Sequence, residues 1–128
     1  MFAEEQCISL LARVDDVDFN VNAVTNLFTV PTGYQCIVTK VILKPAASGF
    51  TTLAAMTDLD LGKVGAAADW NEAYDPSAMT SVDFAAQINP KTGSAIYDAG
   101  EIFAIDLNDT STAQSYVDVL VFGVLIVA

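Results

Sequence analysis

The segment Tyr116 to Val127 constrains the fold of this chain more than any other. From Val119 to Ala128 every residue but Gly123 is an apolar side chain, and most of them are β-branched. That run is about half of the roughly 20 residues a membrane-spanning helix needs, so it reads as a strand. At period two, Leu120, Phe122, Val124 and Ile126 fall on one face and Val119, Val121, Leu125 and Val127 on the other. A strand apolar on both faces is covered on both sides. In a two-layer fold the core supplies one cover. The simplest second cover is a neighbouring subunit, and the alternative is a loop of the same chain.

Other segments add strands of the ordinary kind. Val17-Asp18-Phe19-Asn20-Val21-Asn22 alternates apolar and polar residues and predicts a half-exposed strand. Leu27 to Val30 and Tyr34 to Lys44 flank Pro31-Thr32-Gly33 and predict a hairpin, with a type I turn beginning at Val30. Ala95-Ile96-Tyr97, a turn at Asp98-Ala99-Gly100, Glu101 to Leu107 and a loop at Asn108 to Thr112 follow the turn residues Asn89 to Gly93. The middle, around residues 53–80, is less legible: Leu53 to Met56 and Gly65 to Trp70 suit short helical turns or small-residue strands equally. Seven or eight short strands divided by turn signals predict an all-β, single-domain antiparallel sandwich or barrel. Residues 1–16 form an N-terminal arm or first element, and residues 17–128 the sandwich.

Composition narrows the function. Sixteen Asp and Glu against five Lys and Arg give a net charge of −11, which repels nucleic acid and anionic membrane surfaces, so neither is expected as a partner. Histidine is absent, removing the usual general base and the commonest zinc ligand. Apolar residues reach 53% and charged ones only 16%, too few charges to cover a monomer, so an oligomer, with a trimer favoured, is expected. The acidic N-terminus Met1-Phe2-Ala3-Glu4-Glu5 lacks the positive region of a secretory signal, so a cytoplasmic product is expected. Cys7 and Cys36 allow one bridge, and in that compartment buried thiols are the expectation.

No motif carries chemistry, and no catalytic residue, metal ligand or cofactor is expected. Asp16-x-Asp18-x-Asn20 matches the start of a calcium loop, yet Val21 replaces the glycine at position six and Leu27 the glutamate at position twelve. Asp58-x-Asp60 reads as strand alternation. Carboxylate pairs for glycoside cleavage have no specificity in so acidic a chain. Cys36 lacks a base to deprotonate it. Gly62-Lys63-Val64-Gly65 lacks the spacing of a phosphate loop. Trp70, Tyr74, Tyr97 and Tyr116 form either a sugar-stacking platform or, the better reading, core and interface aromatics.

The stretch Leu27 to Leu43, with its Val30-Pro31-Thr32-Gly33 turn, resembles small structural proteins of tailed bacteriophage virions. The resemblance continues through Gly62 to Asn71, Ala99 to Ile105 and Val119 to Leu125 as a pattern over residues 17–127. It implies a jelly-roll-like sandwich that assembles as an oligomer on the virion. There it would serve as a head decoration or cement protein on major capsid protein at the capsid surface, or alternatively as a tail-tip receptor- or carbohydrate-binding module. It brings no catalytic residue.

Overall fold

A computed structural model describes residues 8–91 and 95–128. Among the described residues nine strands run in chain order: β1 (Ser9–Asp18), β2 (Val24–Thr29), β3 (Tyr34–Pro45), β4 (Leu59–Lys63), β5 (Ala66–Tyr74), β6 (Ala86–Ile88), β7 (Ile96–Tyr97), β8 (Ile102–Leu107) and β9 (Tyr116–Val127). They form two antiparallel sheets. The first has the order β1-β9-β3-β6, with β7 also paired to β3, and the second the order β2-β8-β4-β5. A five-stranded and a four-stranded sheet wound in this order make a jelly-roll-like sandwich, the fold expected. No helix occurs among the described residues, so the open reading of residues 53–80 resolves to strands β4 and β5 with turns around them.

Three local expectations need correction. The first strand occupies Ser9–Asp18 and ends before the alternating run at residues 17–22 is complete. Asp18 Oδ1 accepts the Asn20 amide at 2.9 Å and turns the chain there, so Phe19 drops into the core while Val21 stays exposed. The segments either side of Pro31-Thr32-Gly33 do not form a hairpin: β2 pairs with β8 and β3 with β9, and the turn crosses between sheets. Its hydrogen bond runs from the Tyr34 amide to the Pro31 carbonyl at 3.2 Å, one residue later than expected. Gly33 therefore takes the third position with φ of 88°, a conformation that disfavours any side chain. The Thr92-Gly93 part of the next turn signal lies outside the described residues.

The core lies between the sheets. Val38, Val41 and Leu43 of β3, Leu59 and Leu61 of β4, Ile105 of β8, and Val117, Val119 and Val121 of β9 are fully buried. Each such aliphatic side chain contributes about 1.5–3 kcal/mol over exposure to water. Trp70 on β5 packs edge-on against Phe103, with centroids 5.5 Å apart, and donates its indole N–H to the Val38 carbonyl at 2.9 Å. Tyr97 donates to Asp69 at 2.8 Å. Both bonds tie one sheet to the other. Val38 is next to a bulge, because β3 slips one residue against β9 between Val38 and Lys40, and the Thr39 hydroxyl fills the gap by donating to the Phe122 carbonyl at 3.2 Å.

Candidate assembly surface

Residues paired across antiparallel strands point to the same face, so the register fixes what the first sheet turns outward. Leu10, Phe122 and Lys40 make one row, Arg13, Leu120 and Ile42 the next, and Val124, Ile37 and Ile96 a third. Of the inward residues of β9, Val117, Val119 and Val121 are fully buried while Leu125 and Val127, at the strand's end, are exposed; on the other face Leu120, Phe122 and Val124 are half-buried, and their neighbours Leu10 and Ile96 are 50% and 57% exposed. The second apolar face of β9 is therefore real, and no loop among the described residues closes over it.

Charge on this face is uneven. Near the start of β9, Asp118 is almost wholly buried on the outer side. It accepts the Asp16 amide at 3.0 Å and Arg13 Nη2 at 3.3 Å, with Lys44 Nζ at 3.9 Å. Asp16, with φ of 58°, sits where β1 slips against β9 between Val14 and Val17, and the bulge folds over the carboxylate. Lys40 is different. Its ammonium stands 5.0 Å from the centre of the Phe122 ring and has no carboxylate within ion-pair distance among the described residues.

Just before β6 the chain carries a short exposed turn. Val82 and Phe84 are 66% and 58% exposed and flank Asp83, whose side chain is also in solvent. The Phe84 amide bonds the Ser81 carbonyl at 3.3 Å and the Asp83 amide bonds Ser81 Oγ at 3.4 Å, which fixes the turn's shape.

Residues singled out for possible chemistry have ordinary structural duties. Asp16 Oδ1 accepts the Ser48 hydroxyl at 2.6 Å and Asp18 caps Asn20. Asp60 stands opposite Asp106 in the β4–β8 register, and Asn108 donates to both Asp58 and Asp60, at 3.1 and 2.9 Å, which eases the repulsion of these like charges. Burial pushes the Cys36 thiol up to about 11, away from a reactive thiolate; any bridge to Cys7 concerns a residue outside those described. Lys63 of the Gly62 to Gly65 segment pairs with Glu101 at 2.9 Å in a strand-to-strand turn. Trp70 and Tyr97 are core residues, while Tyr116 is partly open on the first sheet, so these aromatics do not share a platform. The features that sequence reasoning missed are Lys40 over Phe122 and the Val82 to Phe84 turn. Single exposed apolar residues between polar ones give no periodic signal.

No protein-family model matches the chain, and no curated protein sequence does. Solved structures do. A chain of the Helicobacter pylori bacteriophage KHP30 capsid, described as acid-stable, aligns over 94% of this chain and 95% of its own with a TM-score of 0.47 and 15% identity. A chain of the cyanophage Pam1 capsid asymmetric unit aligns over 93% of this chain and 85% of its own, with a TM-score of 0.59 and 17% identity. The likeness to the Pam1 chain is one of fold, and it spans nearly the whole of both molecules.

Proposed function

We propose that this chain is a structural protein of a tailed-bacteriophage virion. It acts as a head decoration protein, a homo-oligomer with a trimer favoured, which binds the outer surface of an assembled shell of major capsid protein. The observation that carries the reading is the half-open apolar outer face of β9 on a jelly roll that matches a capsid chain of nearly its own length. Such a face is what a subunit interface covers. The rest of the molecule supports the same role. A net charge of −11 suits the outside of a particle, away from the packaged genome, and keeps particles apart. The carboxylates and cysteine that offered chemistry are engaged or buried, so the work of the protein is binding energy. Each apolar Å² it covers on the shell contributes about 25 cal/mol before the entropy of docking is subtracted, and a ligand of the intact lattice stabilises it by mass action.

Purified particles test this directly. Hundreds of copies on the head are expected. Particles made without the protein are expected to assemble, and to release their genome at lower temperature or milder osmotic shock than complete ones. Equal resistance together with lost attachment to cells overturns the reading in favour of a tail-tip receptor-binding protein.

A further inference from the structure

We propose that copies of this chain join head to tail: the Val82-Asp83-Phe84 turn of one copy lies on the outer face of the first sheet of the next, with Asp83 against Lys40. The inference gives the proposed oligomer its interface and so rests on that reading.

Two surfaces that fit each other are present in one chain. The receiving face offers the half-buried Ile37, Phe122 and Val124 and the exposed Ile96 around a single ammonium that has no carboxylate partner among the described residues. The donating turn offers two exposed apolar side chains around a single carboxylate that makes no hydrogen bond or ion pair of its own side chain among the described residues. Apolar groups thus flank opposite charges on both surfaces, and the charge complementarity names a second copy as the occupant. An ion pair rimmed by apolar contacts is more effective than one in open water, because neighbouring side chains exclude solvent.

Symmetry points the same way. A twofold contact with its axis at Lys40 would oppose two like charges. A heterologous contact, in which one patch meets a different one, avoids this and closes into a ring when the rotation permits. The placement within the chain suits such a ring: the turn leads into β6, which pairs with Val41 to Leu43 of β3, while the receiving residues lie on β9, on β7 and on the Ile37 to Lys40 part of β3. One copy can therefore present its turn to a neighbour while its own sheet face receives another. The β4–β8 side of the second sheet carries Asp58, Asp60 and Asp106 close together, and these like charges disfavour a contact between two copies there.

Charge reversal across the pair is the test. Sedimentation over a micromolar concentration series compares wild type with Lys40→Glu, Asp83→Lys and the double variant, with circular dichroism confirming that each is folded. Each single reversal is expected to weaken association by about tenfold or more, and the double variant to recover most of it. Singles that assemble like wild type, a double variant as weak as the singles, or a wild type that stays monomeric would each overturn the inference. Failure of the decoration reading is separate: it appears as wild-type oligomers that do not bind shells lacking the protein.

Discussion

The two faces of β9 have nearly the same composition and different duties. Inward, Val117, Val119 and Val121 are fully buried between the sheets and meet side chains of the same chain. Outward, Leu120, Phe122 and Val124 are half-covered by their neighbours on β1 and β3 and have an open side. The difference teaches that an apolar face records a need for cover without recording who supplies it. The inner face pays its conformational entropy through folding, the outer one through assembly.

Substitution on the two faces should therefore separate stability from association. Val121→Asp places an unpaired charge in the core and is expected to cost about 4 kcal/mol or more, enough to unfold a domain of this size or leave it close to unfolding. A melting curve and near-ultraviolet dichroism check it. Wild-type melting would mean that the inward face is misassigned.

Gly123 marks where the faces are pinched. β3 slips beside it, between Val38 and Lys40 opposite Gly123 and Phe122, and β1 slips one step further along, between Leu10 and Ala12 opposite Phe122 and Val121. A Cβ at this position would overlap the Ile37 carbonyl oxygen and come within 2.8 Å of Leu11 Cδ1 and 3.1 Å of Val38 Cα. Since backbone cannot move aside as a flexible side chain can, Gly123→Ala is expected to destabilise by about 3 kcal/mol. Denaturant unfolding measures it, and a loss near zero would show that the bulges relax freely. Trp70→Phe tests the nearby tie between sheets: it leaves the buried Val38 carbonyl without its indole donor, for an expected loss of about 1–3 kcal/mol.

On the outward face the expected effect on folding is smaller still. Phe122→Asp sets a carboxylate beside Lys40 in a half-open position, so melting should change by no more than about 1 kcal/mol while association falls sharply. Equal loss of stability from Phe122→Asp and Val121→Asp would abolish the contrast between the faces.

How much of this was legible depended on local strand preference. The continuous apolar run of β9 and the β-branched run of β3 showed in the sequence because long β-branched stretches carry a strand preference of their own. The strand over Ser9–Asp18 did not show, since Ser9-Leu10-Leu11-Ala12-Arg13 has no β preference and is held extended by pairing with β9. Residues 66–74 hid for a similar reason, as alanine takes its conformation from context. The false hairpin at Pro31 to Gly33 came from reading a turn as a pairing: turn chemistry is local, but the partner of each strand is set by the whole jelly roll. For the assembly surface, the apolar face was legible and its single ammonium was not, because Lys40 reaches Phe122 only through the register of two strands far apart in sequence.

Acid sharpens the comparison because the inward face offers it nothing to titrate. Val117, Val119 and Val121 carry no ionisable group, so acid loosens the molecule through carboxylates elsewhere, among them those that hold its turns. Glu101 accepts the Asp98 amide at 2.7 Å and pairs with Lys63 at 2.9 Å, and these two contacts, the amide first, hold its carboxyl below the ordinary 4.5. Asp109, which accepts the amides of Thr57 and Thr110 at the opposite end of the sandwich, is depressed in the same way. A carboxylate with a lowered folded value binds its proton less readily in the native state than in the unfolded chain. Its contribution is therefore complete above the ordinary value and lost as pH falls through the folded one. Glu101→Gln should lower the melting temperature slightly at pH 7, and the gap from wild type should close as pH falls below about 4. Both groups keep contact with solvent, so this is the smallest effect expected here. Melting curves for the two proteins that run parallel from pH 7 down to pH 3 would show that the turn at Asp98 to Glu101 does not depend on the charge of Glu101.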